Sequence, residues 1–460
     1  MIAIIGGGIS GLAAAYELAQ RGVPFQLFEA SPRAGGLIRT EHHDGFVVDA
    51  GPDSILSSKP AALALCEAVG LRTNLLQMIE PKTAYVLDRN HLYPLPSPSV
   101  LGIPLTPRAA LQFRLLPVTS RVRVLLEPGI RPGKGSDESI ASFFRRRFGP
   151  PTVERVAQPL LGGIHAGDVE QLSVQSLFPA LREAESRGGL LRHLAQRQRP
   201  AGGLFNSLTG GMATLPAALV RSLPRAAIRL NTDIASVTEM PDGWRLDTSS
   251  GTQHASALVL ATPVNVTGRL LQLIEPAAAR LCSDVRHAST ASIALAWHRD
   301  EVDHPLRGSG FVVARDQSRI TASTWISSKW PGRSPEGYTL LRAFVGGMRD
   351  PQAIDLSDDE LVAIARRDLG RVLRIRAEPR LARVYRWRDA SPQLTVGHSD
   401  RLREIDRRLN ARPGLFATGR GLRAVGIPDC VADARQVAAS AAEYVARSDR
   451  EWKHEKYQHH

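Results

Sequence analysis

Gly6, Gly8 and Gly11 stand in a G-x-G-x-x-G, directly after the apolar run Met1-Ile-Ala-Ile-Ile and directly before an alanine- and leucine-rich stretch ending near Arg21. A second apolar run, Pro24-Phe-Gln-Leu-Phe, closes on Glu29, at about the 20-residue offset expected of the acidic ribose ligand in a dinucleotide-binding βαβ unit. Each residue type has a physical task. Gly6 permits a tight turn, Gly8 lets backbone approach a pyrophosphate, and Gly11 lets helix pack on strand. The run Gly6, Gly7, Gly8, Ile9, Ser10 and Gly11 thus presents the N–H groups of a helix start to an anion, while Glu29, with Ala30 beside it, accepts from a ribose diol.

Two further clusters follow the second strand: Arg33-Ala-Gly35-Gly36 and Gly51-Pro52-Asp53-Ser54. Glycine at this density predicts that backbone again comes close to a large flat ligand, which a nicotinamide-only dehydrogenase does not require. Near the other end, Leu415-Phe-Ala-Thr418 reads as a strand, and Gly419-Arg-Gly421-Leu-Arg-Ala424 imitates a second dinucleotide fingerprint. Gly426-Ile-Pro428 interrupts it where a helix should begin, so the helix is expected from about Asp429 through Val437, Ala441 and Val445. One dinucleotide site rather than two favours an oxidase over a pyridine-nucleotide reductase. No Ser/His/Asp arrangement or metal-binding cluster is legible, and no catalytic side chain is assigned.

The elements that must position these residues need more than one core. A chain of 460 residues predicts two or three domains, and 43% apolar residues is the composition of a globular protein. The aliphatic runs are broken by Arg, Gly or Pro and fall short of the ~18 residues of a membrane span. Residues 1–20 lack a basic start and carry Glu17, so they read as part of the nucleotide unit and not as a secretory leader. Cys66, Cys282 and Cys430 are odd in number without C-x-x-C spacing, which fits a reducing, cytoplasmic setting and no structural zinc. The net charge of +13 comes largely from arginine, in runs such as Arg145–Arg147, Arg366–Arg367 and Arg407–Arg408. Solvated helix faces explain most of it; an anionic membrane surface or an anionic substrate are the functional alternatives. Nucleic acid is not expected, because no binding module accompanies the charge.

Along the chain, 61–76 reads as an amphipathic helix and 81–95 as a hairpin turning at Asp88-Arg-Asn90. Residues 94–107 carry five prolines and read as extended, and 108–200 turns helical. Ala255–Ala261 reads as a parallel strand returning to the nucleotide sheet, and 288–390 as a second sheet with one helix near Asp358–Leu373. The expected division is therefore 1–60, 201–287 and 406–450 for the nucleotide domain, 61–107 and 288–405 for a substrate domain, 108–200 for a helical, membrane-facing insertion, and 451–460 for a disordered tail.

The fingerprint, Glu29, Arg33-x-Gly35-Gly36 and Gly426-Ile-Pro-Asp-Cys430 together resemble the flavin-dependent amine oxidase superfamily. Gly162-Gly-Ile-His-Ala-Gly167-Asp168, Gly210-Gly-Met-x-x-Leu-Pro216 and Gly310-Phe-Val-Val look like the porphyrinogen oxidases of haem biosynthesis within it. Ser57-Ser-Lys59-Pro60, Gly102-Ile-Pro104 and Ile320–Trp325 through Lys329-Trp-Pro are more similar to the Gram-positive coproporphyrinogen III oxidases than to the eukaryotic enzymes. Ala424 stands where that family usually has Gly, and Val100 or a neighbour stands where the eukaryotic enzymes carry a substrate arginine.

The resemblance implies an α/β fold: a Rossmann-type FAD-binding domain, a mixed-sheet substrate domain and a helical insertion. It implies FAD as cofactor, with Gly6 to Gly11 on the pyrophosphate, Glu29 on the ribose and the Val237 backbone on the adenine. Arg33, Gly35, Gly36 and Gly51 to Ser54 would lie along the ribityl chain and isoalloxazine. Gly419, Val425, Gly426 and Ile427 would lie at its pyrimidine end. The implied reaction oxidises a porphyrinogen to a porphyrin with O2 as acceptor, coproporphyrinogen III before protoporphyrinogen IX; amine oxidation or carotenoid desaturation are more distant alternatives. Lys59 and Arg39 are the candidate cations for substrate carboxylates, and Asp168 and Phe311 further candidate contacts. Peripheral membrane contact and ferrochelatase are candidate partnerships, and no oligomeric state is implied.

Overall fold

A computed structural model describes residues 1–133, 135–196, 203–314 and 317–458. The fingerprint strand Ile2–Ile5 sits at the middle of a five-stranded parallel sheet ordered 228–229, 25–28, 2–5, 257–260, 415–417. All four of its residues are buried, as a strand covered on both faces requires. Ile2 and Ile4 share a core with the fingerprint helix Ile9–Gln20 and the C-terminal helix beginning at Ile427. Ala3 and Ile5 face the opposite way, into a core holding Trp244, Leu246 and Leu271. Gly6, Glu29, Ala261 and Thr418 follow the carboxyl ends of four neighbouring strands, the edge where open parallel sheets bind ligands.

Two expectations change here. The helix Ala61–Ala68 is shorter than the 61–76 expected, and Leu65, Cys66 and Leu71 join the core of Ile2 and Ile4, so this stretch packs with the nucleotide domain and not with the substrate domain. The C-terminal helix continues to Gln458, where a disordered tail was expected, since no glycine or proline follows Pro428 to stop it; residues 459–460 lie outside the described part.

The second sheet has seven strands, ordered 381–392, 287–298, 338–346, 320–325, 310–313, 84–88, 91–94. It is mixed, because 84–88 pairs parallel with 310–313 while its other pairs are antiparallel. The hairpin 84–94 turns at Arg89 and Asn90, both in the left-handed region. Side chains alternate faces along each strand. Ile293, Leu295, Leu341, Ala343 and Val345 meet the helix Asp358–Leu373 on one side. On the other, Ala294, Ala296 and Leu340 pack under Phe46, Val48 and Ala50, which lead into the Gly51 loop, while Ser292 and Phe344 line open space.

The helical segment 107–196 has its own core around Phe143, Phe144 and Phe148 of the helix Ile140–Phe148. Its arginine run is not the solvated face expected. Arg147 is fully buried and paired with Glu127 and Glu185, and Arg146 with Glu138 and Glu185, so the run ties three helices together. A π-helical stretch, Val153–Gly162 with Pro159 inside it, follows and presents Gln158, Leu160 and Gly162 toward the sheet.

Candidate active site

One cavity of about 2790 Å³ runs from the carboxyl edge of the parallel sheet, over the free face of the second sheet, to the π-helical wall. Gly6, Gly8, Ile9, Ser10, Glu29, Ala30, Gly35, Gly36, Gly51, Pro52, Ser54, Val425, Gly426 and Ile427 all line it. These residues come from four separated stretches of chain, and the fold brings them to one surface. A Cβ added to Gly8 would meet nothing within 4 Å, so the fingerprint turn opens onto the cavity at the point where an anion would approach backbone.

Other expected residues act one step behind this surface. The Gly7 N–H is already donated to Glu29 Oε2 at 2.6 Å, and Ser31 donates its N–H and Oγ to Glu29 Oε1, so the carboxylate is fixed in place at the cavity wall. Gly11 lies under the turn. Arg33 does not line the cavity; its guanidinium donates to the carbonyls of Gly36 and Ile38 and so holds the loop that presents Gly35 and Gly36. The Val237 side chain is buried in the hydrophobic core, and on this stretch the residues lining the cavity are Thr232, Asp233 and Ile234. Gly419 packs against the Thr262 carbonyl, out of the cavity.

Asp53 is the base of the Gly51 loop and not part of its open surface. Its Oδ2 receives Lys329 Nζ at 2.9 Å and lies 3.8 Å from Arg342 Nη2; Asp53 and Arg342 are buried and the Lys329 side chain is largely enclosed. Burial would raise the Asp53 carboxyl, but Lys329 and Arg342 outweigh it and hold the group below the ordinary carboxylate range. Arg342 also donates Nη1 to the Gly51 carbonyl at 2.7 Å, and Arg333 pairs with Asp49 at 3.2 Å. Three cations and two carboxylates therefore fasten the loop to the second sheet. The Ile320–Pro331 tract carries Lys329, yet nothing local in the sequence shows that it meets Asp53.

The proposed substrate cations fare differently. Lys59 lines the cavity, but Asp429 takes its ammonium on both carboxylate oxygens at 2.7 Å, so its charge is matched from within the chain. Arg39 lies outside the cavity, on Glu41 and over the Tyr385 ring. Asp168 caps a turn, accepting the Glu170 N–H at 3.0 Å, and Phe311 is buried against Trp325. Sequence reasoning did not identify the arginines at the far end of the cavity: Arg319, Arg349, Arg367 and Arg371. Arg319 pairs with Asp350 and Arg367 with Asp368; Asp368 is already occupied by Ser318 Oγ and the Arg319 and Ile320 N–H groups.

Two groups at the inner end were also missed. His165 is 7% exposed, with its Nδ1 lacking any hydrogen-bond partner; burial, helped by Arg420 and Lys59, lowers its pKa to about 4, so the ring is neutral. Arg420 lines the same wall. It lies in the Gly419-Arg-Gly421 sequence, where the glycines drew the reading and the arginine between them was the informative residue.

The comparisons with known proteins agree with this geometry. The family model described as flavin containing amine oxidoreductase matches residues 9–442. The coproporphyrinogen III oxidase of Bacillus subtilis is 34% identical, the match covering 96% of this chain and 98% of that protein. The coproporphyrinogen III oxidase of Staphylococcus aureus is 31% identical over 95% and 98%. A crystal structure from Exiguobacterium sp. 255-15, provisionally named a protoporphyrinogen oxidase, superposes with a TM-score of 0.84 at 32% identity, covering 96% of this chain and 98% of that one.

Proposed function

We propose that this chain, which belongs to the flavin containing amine oxidoreductases and within them to the porphyrinogen oxidases, oxidises coproporphyrinogen III to coproporphyrin III on bound FAD. The observation that carries the reading is a single cavity with a nucleotide fingerprint at one end and an arginine-rich mouth at the other. The residues present fit FAD: the turn at Gly8 is open to it, and Arg420, a guanidinium with no acidic partner among the described residues, lines the same space. Gly6 to Ser10 would hold the pyrophosphate, Glu29 the ribose, and Thr232 to Ile234 the adenine end. Gly35, Gly36, Gly51 to Ser54 and Val425 to Ile427 would enclose the isoalloxazine. Bound there, FAD would supply two-electron hydride acceptance and reoxidation by O2, so a six-electron oxidation would take three cycles and release three H2O2.

The chain's own part is binding, orientation and exclusion of water. Val312, Phe344, Leu177 and Phe178 give the broad lobe apolar walls for a tetrapyrrole. The start of the C-terminal helix at Ile427 turns its positive end toward the cavity, where negative charge develops as the cofactor is reduced. Arg371, which meets only the Gln317 carbonyl, and Arg319, Arg349 and Arg367, by exchanging the partners they hold within the chain, would receive carboxylates at the mouth. A substrate with four carboxylates uses such a rim more fully than one with two, which favours coproporphyrinogen over protoporphyrinogen.

Anaerobic addition of coproporphyrinogen III should bleach the flavin of the purified protein, and under air it should turn over faster than protoporphyrinogen IX. The double variant Arg367→Ala/Arg371→Ala should raise KM for coproporphyrinogen by about fivefold, the worth of a partly solvated ion pair, and raise it less for protoporphyrinogen. Equal effects on both substrates would remove the rim from carboxylate recognition. A flavin that bleaches with neither porphyrinogen overturns the assignment.

Among the described residues no helix is long and apolar enough to cross a membrane. Peripheral contact is a second, compatible reading. Leu111, Val118, Val122 and Leu126 are exposed, and residues 105–126 hold four arginines and no acidic residue. An apolar face edged with arginine suits an anionic membrane surface. The protein should float with vesicles containing phosphatidylserine and not with phosphatidylcholine alone. Val118→Asp/Leu126→Asp should weaken that binding roughly tenfold or more, and undiminished flotation would move the contact elsewhere.

A further inference from the structure

We propose that Arg420, with His165 beside it, holds the negative charge that appears on the flavin when it is reduced. The proposal rests on the reading above only in taking FAD to be bound. Arg420 lies on the connection between the strand Leu415–Ala417 and the C-terminal helix, where the Gly421 N–H donates to Ala424 and folds the segment tightly. Val425, Gly426 and Ile427 follow at once and share its wall of the cavity.

The electrostatics of Arg420 are unusual for this chain. Its Nη1 donates to the Ala390 carbonyl at 2.6 Å, its Nε is shut off from solvent with no partner, and no acidic side chain among the described residues pairs with it. Arg423, three residues on, is paired with both Asp406 and Asp433. Burial lowers the pKa of Arg420, and the only group opposing this is the Cys430 thiol, itself pushed up to about 11 by burial and hence uncharged. A desolvated guanidinium without a counter-ion is costly, and a folded protein keeps one where a ligand brings the charge. His165, more than nine-tenths buried, lines the same cavity beside it and is neutral, so it brings no negative charge to the guanidinium.

Two ligands could bring that charge, a substrate carboxylate or the reduced cofactor. The location favours the cofactor. Arg420 shares its wall with Val425 to Ile427 and with Cys430, whose thiol meets Ser10 at the start of the fingerprint helix. Substrate carboxylates have their own arginines at the opposite end. A resident acid beside Arg420 would cancel its charge before reduction, and none pairs with it among the described residues. No bond forms or breaks at Arg420: the electrons and proton of the hydride come from the substrate, and the guanidinium only favours the anionic product state.

The test compares the FAD-loaded wild type with Arg420→Met, Arg420→Gln and Arg420→Lys, by reductive titration against a reference dye and by sulfite titration of the oxidised flavin. Loss of the charge should shift the reduction equilibrium about tenfold toward oxidised flavin, a two-electron midpoint lower by about 30 mV. It should also weaken sulfite binding by about tenfold. Arg420→Lys should recover most of both, and Arg420→Gln keeps the titration readable if Arg420→Met sheds its flavin. Wild-type potential and sulfite affinity in the neutral variants overturn the proposal; a raised KM alone would assign Arg420 to a substrate carboxylate. Because neither titration uses a porphyrinogen, failure of the substrate reading and failure of this one are separable.

Discussion

Asp53→Asn is expected to destabilise the protein by about 3–5 kcal/mol, the cost of removing one partner from a buried charge cluster. The substitution keeps the shape and removes the charge, leaving Lys329 and Arg342 together in a site where both are almost fully enclosed. Lys329 has aromatic faces nearby, with Phe205 and Trp330 at 5.6 and 5.0 Å from its ammonium, but these replace only a small part of a carboxylate. The loss should reach the cofactor as well, because Gly51 and Ser54 line the cavity above Asp53 and Arg342 holds the Gly51 carbonyl. Thermal melts should show a lower melting temperature and the purified variant a lower flavin-to-protein ratio. Since the Asp53 carboxyl is held below its ordinary range, the folded protein keeps the charge on acidification, and the deficit should stay constant from about pH 8 to about pH 4. A melting temperature within about 2 °C of wild type would show that the cluster does not fasten the loop.

Gly8→Leu is expected to abolish flavin binding while leaving the protein folded. A Cβ at Gly8 meets nothing within 4 Å, so a larger side chain is accommodated by the protein and excluded only by what occupies the cavity. Affinity for FAD should fall on the order of 100-fold or more, since backbone approach to a pyrophosphate is lost along with the helix-start contacts. Gly11→Ala makes the contrast: its Cβ would lie 1.8 Å from the Gly6 carbonyl oxygen, so the strand and helix must separate and stability fails together with binding. A colourless but cooperatively melting Gly8→Leu is the expected product. A yellow one, saturated with flavin at the wild-type ratio, would place the pyrophosphate away from the fingerprint.

Much of the frame is legible in the amino-acid sequence. The period-2 runs of 288–390 gave the second sheet and its helix, because alternating burial leaves alternating residue types. Boundaries were less legible where packing overrode local pattern. The apolar positions of 61–76 suit a longer helix than the one formed, which stops at Ala68 ahead of Gly70 and turns into the nucleotide core at Leu71. The C-terminal helix absorbed Pro428 in its first turn, a position where a missing N–H costs nothing, instead of being broken by it.

What the amino-acid sequence determined by itself is what local chemistry encodes: the open turn at Gly8, the acid at Glu29, the paired glycines at 35–36, and the terminal Val425-Gly-Ile that closes the same cavity. Each is a residue type whose need is set by neighbours a few positions away. The tertiary structure alone decided which charges are available. Lys59 is matched by Asp429, 370 residues away; Asp53 is met by Lys329; Arg147 is buried on Glu127; and Arg420, at the cavity wall, has no counter-ion among the described residues. Charge pairing depends on which distant segments the fold brings within a few ångströms and on how much water it leaves between them, and no periodicity in the chain carries that information.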